Sequence, residues 1–187
     1  MLSELEKSLL ECPVVKKGDY FYFVHPISDG VPLVEAKLID SIMDYIIDNF
    51  DLSNVEKIVG VESMGIPLAT ALSLKTGIPF VIIRKRSYGL EGERQVHQKT
   101  GYGKSELFIN GLKKEDNILL IDDVVSTGGT LTSVIHALDE IGVNLIHIIV
   151  PIEKDDGRII VEKNTNHKLE TLVKMKMVDG KVTIIDK

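Results

Sequence analysis

The most chemically loaded stretch of the chain is ILLIDDVVSTGGT, residues 118–130. An apolar run suited to a buried strand ends in two adjacent carboxylates, and a short Ser/Thr/Gly loop then enters a helix. Backbone N–H groups at a helix N-terminus bind anions, and glycines let a phosphate approach that backbone closely. Ser126, Thr127 and Thr130 add hydroxyl donors around Gly128 and Gly129. Asp122 and Asp123 repel phosphate, so they should face vicinal ribose hydroxyls or a hydrated Mg²⁺. The pattern points to a sugar phosphate held at the C-terminal edge of a parallel strand, where open α/β sheets place ligands. The plainer alternative is an ordinary strand-to-helix turn capped by Ser126 or Thr127, and the buried run ending in paired Asp argues against it. The sequence contains no GxxxxGKS/T loop and no GxGxxG after its first core strand.

Two further segments carry suitable residue types. Glu62-Ser63-Met64-Gly65 follows a second apolar run, and Arg84-Lys85-Arg86 closes a third. Taken alone, the first reads equally well as a capped helix start and the second as a solvated strand end. The five histidines, His25, His97, His136, His147 and His167, share no metal-ligand spacing. They are read as structural or surface residues, with His97 the one placed to meet a substrate.

The elements that must position these residues alternate. Residues 57–62, 79–85, 117–122 and 144–152 read as strands, and 66–76 and 129–141 as helices. The runs IVGV, FVII, ILLI and IHIIV are continuously apolar, which suits strands buried on both faces of a parallel sheet with helices on either side. Upstream, 2–11 and 34–50 have helical periods and YFYFVHP (20–26) is β-prone until Pro26. Asp179-Gly180 favours a tight hairpin turn, so residues 168–187 are expected to form an antiparallel appendage. Residues 86–104, with four glycines and no clean period, read as a flexible lid, the alternatives being a surface insertion or a ragged hairpin.

Composition bounds the reading. A chain of 187 residues, 44% hydrophobic, suits one domain with a real core. A single cysteine, Cys12, excludes a disulfide framework and a cysteine-built metal site. No apolar run is long enough to span a bilayer, and the acidic, amphipathic N-terminus does not resemble a secretory signal. A cytoplasmic protein without a membrane partner is expected. The net charge of −6 argues against nucleic acid. It is unevenly spread: residues 84–104 hold six Lys/Arg against two Glu, so a basic mouth of +4 sits on an acidic body of −10.

At residues 118–130 the sequence resembles the type I phosphoribosyltransferases, whose signature is four apolar residues, two acids, two apolar residues and a Ser/Thr-Gly phosphate loop. All thirteen positions fit. The resemblance implies that family's fold over residues 1–187, with a mostly parallel sheet, a small hood (1–33) and a flexible lid (86–104). It also implies its reaction, in which a nitrogenous base replaces the pyrophosphate of Mg²⁺-bound 5-phosphoribosyl-1-pyrophosphate (PRPP). Ser126, Thr127, Gly128, Gly129 and Thr130 would then hold the 5′-phosphate. Asp122 and Asp123 would hold the ribose hydroxyls, with a share in Mg²⁺. Glu62, Ser63, Met64 and Gly65 would form the pyrophosphate loop, with Arg84 and Lys85 as charge partners. Ile152-Glu153 and Gly157-Arg158 resemble the segment after the family's last core strand. A homodimer is implied, because basic residues in many members serve the neighbouring subunit's site.

The overall spacing, and the return of the lid at Tyr102-Gly103-Lys104-Ser105-Glu106, resemble adenine phosphoribosyltransferases. Two positions depart: Met64 stands where that group usually has Arg, and Gly101 where it has a Glu before Tyr-Gly. The hypoxanthine–guanine enzymes of bacteria and animals place an Asp where this chain has Ser126. The greatest resemblance, including VESMG, VSTGGT and the tail beyond residue 168, is to the archaeal hypoxanthine/guanine phosphoribosyltransferases. It implies purine salvage to IMP and GMP, with adenine as the main alternative. Glu91 and Glu93 are candidate replacements for the missing acid, and Ile27 and Ser28 for the hood over the base, where a packed edge strand and turn is an equal reading. A PRPP-sensing regulator would need a DNA-binding segment or a basic face, and the acidic N-terminal helix supplies neither.

Overall fold

The alternation of continuous apolar runs with helical periods builds one open sheet with helices on both faces. The structure, a computed structural model, describes residues 3–18, 20–97 and 106–185. The order is α1 (Ser3–Glu11), β1 (Val14–Lys17), β2 (Tyr20–Phe23), α2 (Pro26–Asp29), α3 (Ala36–Asn49), β3 (Lys57–Val61), α4 (Gly65–Thr76) and β4 (Phe80–Ile83). Then come β5 (Arg94–His97), β6 (Glu106–Ile109), β7 (Asn117–Ile121), β8 (Val124–Val125), α5 (Gly129–Ile141), β9 (Asn144–Lys154), α6 (Gly157–Thr165), β10 (Glu170–Val178) and β11 (Lys181–Ile185). The main sheet runs β11-β10-β9-β7-β3-β4, with β8 also paired to β9.

The apolar runs are continuous because each strand feeds two cores. In β7, Leu119 and Ile121 join the layer containing α1, α3 and α4, through Leu5, Ile42 and Leu68. Ile118 and Leu120 join the opposite layer with Leu131, Val134 and Val161. Successive side chains of a strand point to opposite faces, so a sheet covered on both sides needs apolar residues at every position.

The C-terminal expectation needs correction. β10 pairs in parallel with β9 from Glu170 to Met175, and only β11 is antiparallel, so residues 170–185 extend the main sheet rather than hang from it. The turn itself is as expected: Asp179 and Gly180 both have positive φ, at 49° and 75°. Within the segment read as a lid, β5 pairs antiparallel with β6 beyond it, and Val96, Leu107 and Ile109 enter the second core. An Arg84–Phe108 bridge fastens β6 to the end of β4. Residues 98–105, which include Gly101 and the Tyr102–Ser105 stretch, lie outside the described residues.

Candidate active site

Registers fix the site. Gly60 of β3 pairs with Ile121 of β7, so Glu62 and Asp122 emerge from neighbouring strand ends. The two turns touch: a Cβ at Gly65 would lie 2.9 Å from the Ile121 carbonyl oxygen, an approach only glycine permits. Between them opens a cavity of about 490 Å³ lined by Ser28, Val61, Glu62, Ser63, Met64, Lys85, Asp122, Asp123, Val124 and Thr130. A second hollow of about 150 Å³ lies along Val124–Leu131 and shares Asp122, Val124 and Thr130 with the first. Together they form one trough. A further cleft of about 410 Å³, around Lys57, Lys113 and Asp116, holds none of the motif residues.

The Val124–Leu131 half is built by backbone. Gly128, at φ 71°, ends the loop in a left-handed turn and leads into α5 at Gly129. The first N–H groups of a helix lack intrahelical partners and carry the positive end of its dipole, so an anion fits the 150 Å³ hollow without a basic side chain.

The two carboxylates are held by β9. Asp122 donates its N–H to the Ile149 carbonyl at 3.3 Å, and the Asp123 carbonyl accepts from Ile152 N–H at 3.2 Å. Asp123 N–H also donates to Asp122 Oδ1 at 3.0 Å. Loss of water raises the pKa of Asp122 well above the usual carboxylate range, the charge of Asp123 raises it further, and Lys85 partly offsets both. Burial also raises Asp123, with Asp29 adding to the effect. Adjacent acids that resist ionising together suit a ligand bringing cationic charge or hydroxyl donors.

Across the cavity, Glu62 Oε2 accepts the Lys85 N–H at 2.8 Å and pairs with Arg84 Nε at 3.0 Å. Lys85 Nζ donates to Ser63 Oγ at 3.4 Å. The Glu62–Ser63 peptide is cis. Lys85 therefore faces the trough, whereas Arg84 is turned onto Glu62. Met64 reaches the hood: its Sδ would lie 3.5 Å from a Cβ at Gly30.

In the hood, Ile27 is in the core, so of the Ile27–Ser28 pair only Ser28 lines the cavity. Ser28 Oγ donates to Asp29 Oδ2 at 2.7 Å, and Tyr22 donates its hydroxyl to Asp29 Oδ1 at 2.6 Å. Burial and that bond push the Tyr22 hydroxyl up to about 12, which keeps it a donor. Sequence alone does not single out Tyr22 and Asp29, which these bonds join to Ser28 at the cavity edge. Their only signal is an acid next to the glycine that ends a four-residue helix.

Glu91 and Glu93 do not line the trough. Glu93 instead ties the stretch after β4 to Asn110, accepting from Ser87 Oγ (2.5 Å), Tyr88 N–H (2.9 Å), Gly89 N–H (3.3 Å) and Asn110 Nδ2 (2.8 Å). These bonds, led by Ser87, hold its pKa down at about 2. Among the described residues, no group of three or more His, Cys, Asp or Glu side chains is placed to cage a metal ion. The donor set of Asp122 and Asp123 fits instead an ion brought in on substrate oxygens, as Mg²⁺ usually is. No described helix is long and apolar enough to cross a membrane.

Residues 33–173 match the phosphoribosyl transferase domain family. Over 184 residues the chain is 58% identical to the hypoxanthine/guanine phosphoribosyltransferase of Methanobacterium paludis, covering 98% of this chain and 96% of that one. The corresponding enzyme of Methanothermus fervidus is 55% identical over 186 residues, 100% of this chain and 98% of its own. Among solved structures, adenine phosphoribosyltransferase of Thermoanaerobacter pseudethanolicus superposes with a TM-score of 0.75 at 20% identity, covering 93% of this chain and 99% of that one. The Saccharomyces cerevisiae enzyme, solved with adenine, gives 0.74 at 22% identity over 91% and 97%. At such identities the likeness shows the fold alone.

Proposed function

The chain belongs to the phosphoribosyltransferase family, and from that premise we propose that it is a purine salvage enzyme converting hypoxanthine or guanine, with PRPP, to IMP or GMP and pyrophosphate. The observation that carries the reading is identity of 55–58% over nearly the whole chain with relatives of that name. The trough supports it, because both turns of the sugar-phosphate motif open into one space of suitable shape.

Ser126–Thr130 and the start of α5 receive the 5′-phosphate. Asp122 and Asp123 hold the ribose hydroxyls, and the Glu62–Gly65 turn with Lys85 receives the pyrophosphate. Displacement at the anomeric carbon passes through an oxocarbenium-like state, in which the bond to pyrophosphate breaks as a purine nitrogen bonds to carbon, and the proton lost by the purine ring is balanced by the departing pyrophosphate. Lys85 and the backbone at Ser63–Gly65 neutralise the departing charge, while the paired acids stabilise the positive ribose. Asp122 and Asp123 would hold Mg²⁺ arriving with PRPP, and the ion would supply further charge neutralisation. Ser28 and Met64 border the base side, and the lid excludes water that would hydrolyse PRPP. We place the enzyme in the cytoplasm as a homodimer, as the family resemblance implies.

The test is nucleotide formation from PRPP and Mg²⁺ with each of hypoxanthine, guanine, adenine, xanthine and orotate. Turnover of hypoxanthine and guanine is expected. Turnover of adenine alone would reassign the base, and no turnover together with salt-sensitive DNA binding would favour a PRPP-sensing regulator.

A further inference from the structure

A buried carboxylate stands behind the phosphate loop without entering the chemistry above. Glu153, near the end of β9, is 1% exposed and pairs in register with Val125 of β8. Its Oε2 accepts from Thr171 Oγ1 at 3.1 Å and lies 3.4 Å from Arg158 Nε. Its Oε1 lies 3.2 Å from Lys174 Nζ, which in turn donates to Asp156 Oδ1 at 3.0 Å. A carboxylate out of water is tolerated only when paired, so the cluster commits β9, β10 and the entry to α6 to one arrangement.

That arrangement bears directly on the loop. Gly157, the first residue of α6, sits so close beneath it that a Cβ there would lie 2.6 Å from the Ser126 carbonyl oxygen and 2.7 Å from that of Val125. A Cβ at Gly128 would lie 2.7 Å from Val161 Cγ2. The loop thus rests on α6, and α6 is anchored at its N-terminal end by Asp156, Lys174 and Glu153.

We propose that Glu153, acting through Lys174 and Asp156, is a positioning residue for the 5′-phosphate loop, holding α6 where it supports Val125–Gly128. This rests on the reading of Ser126–Thr130 as the 5′-phosphate site. Two small ligands separate the halves of the trough: ribose 5-phosphate needs the loop on α6, whereas pyrophosphate needs the Glu62–Gly65 turn.

Inhibition by each is measured on the wild type, Glu153→Gln, Lys174→Arg and the double variant Glu153→Gln/Lys174→Met, with thermal midpoints alongside. In Glu153→Gln and the double variant, KM for PRPP and Ki for ribose 5-phosphate should rise about tenfold, the effect of losing roughly one charge-assisted hydrogen bond. Ki for pyrophosphate and KM for hypoxanthine should stay within about twofold, since an isolated change at a distant site adds little. Lys174→Arg should retain wild-type constants. Should Glu153→Gln not fold, the double variant, which leaves neither charge of the Glu153–Lys174 pair, carries the test. Unchanged ribose 5-phosphate inhibition in the folded variants would overturn the proposal, as would a parallel rise in the pyrophosphate constant. A wild type indifferent to ribose 5-phosphate would overturn the loop assignment itself and the proposal with it.

Discussion

The carboxylate of Glu62 receives the backbone N–H of Lys85 at 2.8 Å, bolting the turn after β3 to the end of β4. The same oxygen pairs with Arg84 at 3.0 Å. One acid therefore fixes where Lys85 enters the trough and occupies Arg84. Glu62→Gln should keep the fold but loosen this bolt. Because the pair is partly solvated, KM for PRPP should rise only about 3- to 10-fold. Steady-state kinetics with PRPP varied at saturating hypoxanthine checks this, and Lys85→Ala should cost more.

Asp122 and Asp123 should show a trade between stability and activity. Their folded pKa values are raised, so below neutrality the folded chain binds protons that the unfolded chain does not. Stability from this pair is therefore present at low pH and is lost as pH rises through the raised values. Asp123→Asn removes that repulsion and should stabilise the protein at pH 7 by on the order of 1 kcal/mol. The same change should lower kcat/KM for PRPP about 10- to 100-fold through lost hydrogen bonds to a charged group. Thermal melts and PRPP kinetics on one preparation test both halves, and unchanged kinetics would remove Asp123 from the ribose site.

Glu93 gives a sharper exclusion. With its pKa held at about 2 by four hydrogen bonds, it carries no proton to give at neutral pH. Glu93→Gln should alter kcat by less than about tenfold, whereas loss of a general acid costs about 10²- to 10⁴-fold. Its larger effect should be on proteolysis of the segment from Ser87 to Asn110.

His25 governs the hood's response to acid. Its Nδ1 accepts the Ile27 N–H at 3.2 Å, so the neutral ring carries its proton on Nε2, 2.9 Å from Ser8 Oγ of α1. Burial lowers its pKa to about 4 from 6.5 despite the opposing pull of Asp29. The unfolded chain takes up the proton first as pH falls. The stability that depends on a neutral His25 is thus complete above about pH 6.5 and lost by about pH 4, a change of roughly 3 kcal/mol. His25→Asn keeps a cap acceptor without a titrating ring and leaves Asp122 and Asp123 titrating as before, so it serves as the reference. Relative to it, the wild type should lose about 2 kcal/mol between pH 7.5 and pH 5 in urea unfolding.

The sheet and the motif turns were legible because burial on two faces forces unbroken apolar runs, and because phosphate binding at a helix start demands glycines. What escaped reading lacked such a signature. In α6, Ile159 and Ile160 are 52% and 40% exposed while Val161 is buried, so the segment shows no apolar face. Yet Gly157 and Val161 of this helix lie against the Val125–Gly128 turn. β1 is four residues, VVKK, paired among the described residues only with β2, too short to show a period. The Asp179-Gly180 turn suggests an appendage because a hairpin at a sheet's edge carries the same turn as a free one. Among the site residues, Ser63, Lys85, Asp122, Asp123 and Thr130 meet at the trough as their motifs implied. Ile27 and Arg84 turn to the core and to Glu62, choices set by packing rather than by residue type.

The most direct measurement of the central claim is a competition: equimolar hypoxanthine and adenine with limiting PRPP and Mg²⁺, the nucleotides separated and quantified. IMP should predominate over AMP by at least about tenfold, since a site built to pair with one purine edge leaves groups unpaired against the other. AMP as the main product would contradict it.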